Sequence, residues 1–148
     1  MARRLYVDTG ALVKLYIVED GSEWVQRQCL QAGTLLLSQL QLVELKNAIL
    51  AAGGRRIISK EAMQMTLRHL DQDLADGIYQ NFQPDWPSVW QRADSLARQH
   101  TTELLCRTLD ILHVATAEIE KADLFITGDR RQFALGSRTD LTVKQIPY

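Results

Sequence analysis

A chain of 148 residues that is 46% hydrophobic and 24% charged has the size and composition of one globular domain, able to bury a core without disulfide staples. Its net charge of -1 lacks the basic excess common in nucleic-acid-binding domains, and Cys29, Cys106, His69, His100 and His113 form neither a CxxC nor an HxxxH pair, which argues against zinc. No segment has the apolar length of a bilayer span, and Asp8 interrupts the stretch behind Arg3 and Arg4 before a signal-peptide core forms; with the unpaired cysteines, this points to a reducing cytoplasm.

In chain order, Arg4 to Val7 reads as a short buried strand, and Thr9 as the cap of a helix from Ala11 to Tyr16. Gly21-Ser22-Glu23 opens a second helix that runs to about Gln31, and Thr34 to Leu37 is a second buried strand. Ser38 is a good N-cap for a helix to about Ala52, on which Leu40, Val43, Asn47 and Leu50 share one face with Glu44 close by. Ser59 starts another helix through Leu74, so residues 39–76 form a helical hairpin or lid. A strand at Ile78 to Phe82, a turn at Pro84 and Pro87, and a helix from Val89 to Gln99 follow. Thr108 to Lys121 is a strongly apolar helix, Asp123 to Thr127 a strand, Arg130 to Leu135 a short helix, and Leu141 to Ile146 a last strand. This alternation predicts one domain over residues 1–148, built on a mainly parallel sheet flanked by helices.

Four acids stand on or beside its apolar runs: Asp8, Glu44, Asp110 and Asp129. Asp8 and Asp129 follow strands, and Glu44 and Asp110 fall in early helical turns, so in a parallel sheet all four gather at the carboxyl rim where ligands bind. Each has a plainer reading, as a turn residue after a strand or a solvated helix charge. The apolar flanks Leu109, Ile111 and Leu112 of Asp110, and Leu42, Val43 and Leu45 of Glu44, leave little room for a solvated face. Clustered carboxylates repel one another and raise their own pKa values, whereas Mg²⁺ or Mn²⁺ supplies a hard cation that keeps them ionised. Such a site can activate water for in-line phosphodiester cleavage, catalytic and metal-ligating roles falling to the same four side chains.

The segments carrying these acids resemble the PIN-domain ribonuclease family, in particular the VapC-type toxins of toxin–antitoxin pairs. Tyr6-Val7-Asp8-Thr9-Gly10-Ala11 is similar to the family's opening strand and helix, Ser38 to Glu44 to its second motif, Arg107-Thr108-Leu109-Asp110-Ile111-Leu112-His113-Val114-Ala115-Thr116-Ala117 to its third, and Phe125-Ile126-Thr127-Gly128-Asp129 to its fourth. The resemblance implies a three-layer α/β/α sandwich with a parallel sheet, Mg²⁺- or Mn²⁺-dependent endoribonuclease activity, a homodimer, and a cognate antitoxin whose tail covers the active site. Gly10 stands where the family commonly has Ser; Thr9 and Thr127 keep hydroxyls nearby, as supports of the site.

Lys14, Lys46, Arg107, Arg130 and Arg131 lie within a few positions of the acids and are candidate RNA-binding residues, with Arg55 and Arg56 more readily surface charge. His113, one turn after Asp110, reads as a packed histidine. The helix bearing Met63 and Met65 is equally a partner face or core. Trp24, Trp86 and Trp90 could stack on bases, but helical spacing favours packing for Trp24 and Trp90. Two rival readings stay open: a PIN-like RNA- or protein-binding module without turnover, toward which Gly10 is the one hint, and an aspartic-protease-like signature at Val7 to Ala11, which leaves the other three acids unexplained.

Overall fold

The structure, a computed structural model, describes residues 3–148. Its elements are β1 (Arg4–Val7), α1 (Thr9–Val13), α2 (Ser22–Gln31), β2 (Thr34–Ser38), α3 (Gln39–Gly54), α4 (Lys60–Ala75), β3 (Tyr79–Phe82), α5 (Trp86–Leu104), α6 (Thr108–Ile119), β4 (Leu124–Thr127), α7 (Arg130–Gly136) and β5 (Val143–Gln145). The strands lie in the order β3-β2-β1-β4-β5, and every neighbouring pair is parallel.

Alternation along the strands builds two cores. Leu5 and Val7 of β1 and Leu124 and Ile126 of β4 face one side, where they meet Leu12 of α1, Val25 of α2, Leu45 and Ile49 of α3 and Leu70 of α4. Tyr6 and Phe125, between them in sequence, face the other side and stack with centroids 5.5 Å apart against Leu96 of α5, Val114 and Ala115 of α6 and Leu135 of α7. Strands buried on both faces read as continuous apolar runs, and this is the expected three-layer α/β/α sandwich. Helix α6 is buried at every position from Asp110 to Ala117, which explains its apolar character all round.

Chain order runs outward from β1 through β2 to β3, then returns to β4 on the other side of β1. The direction reverses between β1 and β4, and a crevice opens there at the carboxyl ends of the strands. Register fixes its floor: Val7 pairs with Ile126, and the Asp8 amide donates to the Ile126 carbonyl at 2.8 Å.

Three local readings change. Asp8, not Thr9, occupies the N-cap of α1, and the helix stops at Val13. Pro87 lies in the first turn of α5, where its missing N–H costs nothing, so the helix begins well before Val89. On α3 the buried face is Gln41, Leu45, Ile49 and Ala52, while Val43 and Leu50 point to solvent. Ser38 does cap α3, in a capping box with Gln41. Met63 packs against the first core and Met65 is exposed; Trp24 is also partly buried there, and Trp86 stacks on the exposed Trp90 at 5.3 Å. No helix among the described residues is long and apolar enough to cross a membrane.

Candidate active site

Asp8, Glu44, Asp110 and Asp129 all line one cavity of about 880 Å³ at the reversal of strand order. Four different elements deliver them. Asp8 directly follows β1, and its carboxylate makes no capping bond to α1. Asp129 follows β4 and accepts from the Gln132 amide at 2.9 Å, so it caps α7 as well as facing the cavity. Asp110 sits in the first turn of α6, where the helix N-terminus favours a negative charge, and accepts from the Arg107 amide at 3.3 Å. Glu44 projects from the second turn of α3 on the stripe shared with Asn47, Ala48, Ala51 and Arg55, which carries the cavity wall away from the acids.

Burial raises the Asp8 carboxyl above its ordinary pKa; the charge of His113 and a hydrogen bond from Gln132 relieve part of this, and Asp110 and Glu44 add repulsion. Burial acts on Glu44 in the same sense, but the hydrogen bond and charge of His113, the Thr9 hydroxyl and the charge of Arg107 outweigh it, and Glu44 ends below its ordinary value. The site thus holds one carboxyl that resists ionisation beside one that favours it.

The support for Glu44 is a buried relay. Tyr6 is fully buried, which pushes its phenol well above its ordinary pKa and keeps its proton in place. The phenol and His113 Nδ1 lie within hydrogen-bond distance at 2.7 Å, and His113 Nε2 donates to Glu44 Oε1. Thr9 Oγ1 donates to the same carboxylate oxygen at 3.2 Å. His113 is therefore packed, as its apolar neighbours suggest, and also bound to a candidate metal ligand.

Thr127 plays a different part: its hydroxyl accepts from the Asp129 amide at 3.0 Å and donates to Gln132 Oε1 at 2.6 Å, shaping the turn that presents Asp129. Gln132 and Gln41 are support residues that motif reading overlooked. Both are fully buried, and Gln41 Nε2 donates to the carbonyl of Val7, immediately before Asp8, at 2.7 Å. A glutamine in the first turn of a helix, between leucines for Gln41 and between Arg131 and Phe133 for Gln132, is the only mark either leaves in the sequence.

The basic candidates divide. Arg107 lies at the cavity with its side chain 72% exposed, Nε 3.2 Å from Asp110 and a terminal nitrogen 3.8 Å from Asp129. Arg55, read as surface charge, lines the cavity. Lys14 also lines it, but its ammonium is held by Glu19 at 3.0 Å and by the Asp20 carbonyl at 2.7 Å. Lys46, Arg130 and Arg131 are absent from the wall, and Arg131 reaches the Leu105 carbonyl instead.

An all-carboxylate donor set suits Mg²⁺ or Mn²⁺, and the buried, charge-raised Asp8 is stabilised by any cation placed beside it. Among the described residues, no three acidic, histidine or cysteine side chains are yet grouped closely enough to hold a metal ion. Arg107 stands where a cation would neutralise Asp110 and Asp129, and Glu44 is turned toward His113. Because Arg107 is so exposed, Arg107→Ala should change stability by less than about 0.5 kcal/mol. The same change should tighten Mn²⁺ binding in a calorimetric titration, since the guanidinium no longer competes for the two aspartates.

Gly10 leaves room for the more common serine. A Cβ built there would lie 3.6 Å from Asp8 Oδ2, ordinary contact distance. Gly10→Ser should fold normally and place a hydroxyl within reach of the Asp8 carboxylate, lowering its pKa and strengthening Mn²⁺ binding severalfold in the same titration.

The family profile described as the PIN domain matches residues 5–136. No curated protein matches the chain. Among solved structures, the chain is similar to VapBC2 from Rickettsia felis bound to a DNA fragment from its promoter (TM-score 0.67, 16% identity, 96% of this chain and 98% of that one). It is also similar to FitAcB from Neisseria gonorrhoeae (0.63, 17%, 94% and 95%) and to a toxin–antitoxin complex from Klebsiella pneumoniae (0.58, 16%, 88% and 90%). At these identities the likeness speaks for the fold, which agrees with the all-parallel sheet described above. The profile covers most of the chain and spans all four acids, and the chain belongs to the PIN-domain family.

Proposed function

We propose that this chain is a divalent-metal-dependent endoribonuclease and the toxin of a type II toxin–antitoxin pair. The observation that carries the reading is the delivery of Asp8, Glu44, Asp110 and Asp129 from four elements into one cavity at the reversal of strand order. In the reading, these acids hold Mg²⁺ or Mn²⁺, which when bound supplies an activated water and charge neutralisation for phosphodiester hydrolysis. The chain's own residues do the rest. His113 and Thr9 fix Glu44, Gln41 and Gln132 brace the backbone around Asp8 and Asp110, and the Asp129 turn is set by Thr127. Arg107, released from Asp110 and Asp129, and Arg55 along the wall supply positive charge for the phosphate backbone, a local answer to the net charge of -1.

The toxin role is supported by the likeness to chains of VapBC and other toxin–antitoxin assemblies. It implies action in the cytoplasm, a homodimer, and a cognate antitoxin that binds across the cavity. Incubation of the purified, antitoxin-free chain with an RNA pool should give Mn²⁺- or Mg²⁺-dependent fragments, and induction in cells should arrest growth until a co-expressed small partner relieves it. Normal growth of cells that accumulate the active nuclease would remove the toxin role and leave the chemistry.

The closed pairing of Arg107 with Asp110 and Asp129 favours a second reading, a module that binds RNA or a partner without turnover. RNA binding with no metal-dependent cutting of any RNA would select it.

A further inference from the structure

Among the described residues, Tyr148 is the one Phe, Tyr or Trp on the wall of the acidic cavity, which it shares with Asp8, Gly128 and Asp129. Its backbone is anchored just before it: Ile146 is buried and its amide donates to the Thr127 carbonyl at 2.9 Å, and Pro147 stiffens the single residue between them. Its phenol end lies over Gly128, where a Cβ would come within 2.8 Å of the hydroxyl, so the residue before Asp129 has no side chain to hold the ring away. Beneath the ring, the Lys14 ammonium lies 5.5 Å from the centroid. That ammonium is itself tied to Glu19 and Asp20, and the Lys14 side chain is only 10% exposed. The ring is thus propped on one side while Tyr148 as a whole remains 76% exposed.

A fixed aromatic face open to solvent beside four phosphodiester-directed acids has the form of a stacking platform for an unpaired base. Resting on the nuclease reading given above, we propose that Tyr148 stacks on a nucleobase adjacent to the scissile phosphate of single-stranded RNA, with Lys14 as the prop of the ring instead of a phosphate contact. The platform explains why an inward lysine is spent on a local pair at the mouth of an acidic cavity. It also sets a preference for single strands, because a base within a duplex cannot reach the ring. Stacking is tolerant of base identity, so the residue selects an unstacked base more than a particular sequence.

The test pairs protein and substrate changes. Single-stranded RNA oligonucleotides carrying an abasic position at each place around the cleaved bond are cut by the wild-type chain, Tyr148→Ala, Tyr148→Phe and Tyr148→Trp. Tyr148→Ala should lower kcat/KM about tenfold, the loss expected for one stacked base. An abasic position at one place should cost the wild-type chain a similar factor and cost Tyr148→Ala nothing further, while Phe and Trp should restore cleavage. Equal kcat/KM for wild type and Tyr148→Ala, or an abasic penalty of the same size in both, would overturn the platform and leave the nuclease standing. A binding arm separates the opposite case. RNA bearing 2-aminopurine at successive positions, mixed with protein in Ca²⁺, should show fluorescence quenching at one position with wild type but none with Tyr148→Ala. That result in a chain that never cuts RNA would uphold the platform while removing the nuclease reading. Equal quenching with both proteins at every position would remove the platform.

Discussion

Replacing Asp8 by Asn should abolish cleavage and at the same time stabilise the metal-free protein. Burial sets Asp8's folded pKa above its unfolded value, so without a metal, ionising this side chain costs the fold stability that an uncharged amide would not. In linkage terms the folded state binds more protons than the unfolded state between those two values, so stability falls as pH rises through that window and stays lower above it. Glu44, with its pKa lowered, acts in the opposite sense: its contribution is present above the unfolded value and is lost as pH falls through the folded one. Asp8→Asn removes the first effect and keeps the second. Thermal melts in chelator should show the variant about 2–4 °C above wild type at pH 7, the shift that about 1 kcal/mol brings in a chain of this size. The difference should shrink as pH is lowered toward 4, about the ordinary value for Asp. Cleavage should drop at least about a thousandfold, since the metal and its water lose the side chain at the end of β1. A variant less stable than wild type at pH 7 would show that Asp8 is a structural carboxylate.

His113→Leu should be damaging for both stability and activity. The change strands the buried Tyr6 phenol, removes the donor to Glu44, and exchanges a polar ring packed in the second core for an aliphatic side chain. A buried polar group left without its partner costs about 1–3 kcal/mol, and imperfect repacking adds to it, so a loss of about 3 kcal/mol is expected in denaturant titrations. Tyr6→Phe removes only the phenol end of the relay and should cost about 1 kcal/mol. Activity separates positioning from packing: Tyr6→Phe should keep most of the wild-type rate, because His113 still holds Glu44, whereas His113→Leu should lose most of it even at temperatures where it is fully folded. Equal rates for His113→Leu and wild type would reduce the relay to packing.

Much of the fold was legible because the central strands β1 and β4 are apolar on both faces and several of the breaks carry Gly, Ser or Pro. The acids were legible for the same reason: Asp110 lies in the most apolar helix of the chain, and Asp8 and Asp129 stand next to buried strands. Less legible was the orientation of α3. Its two stripes, Leu40-Val43-Asn47-Leu50 and Gln41-Leu45-Ile49-Ala52, are comparably apolar, and the buried one contains a glutamine that becomes tolerable only because Ser38 and Val7 satisfy it. The His113–Glu44 contact joins residues 69 positions apart, so nothing local announces it. Among the cations, nearness in sequence to an acid proved a weak guide: Lys14 is claimed by Glu19, while Arg55, eleven residues and three helical turns from Glu44, faces the same cavity. Tyr148 left no signal, since its place at the cavity depends on the β4–β5 pairing.

The central claim is that Asp8, Glu44, Asp110 and Asp129 act together on one divalent cation, and Mn²⁺ titration calorimetry tests it most directly. Wild-type protein should bind Mn²⁺ more tightly as pH rises, because the ion and a proton compete for the Asp8 carboxylate, whose pKa burial raises. Asp8→Asn and Asp110→Asn should each abolish the binding while keeping the fold. Absence of Mn²⁺ binding to folded wild type, or undiminished binding to both variants, would contradict the account.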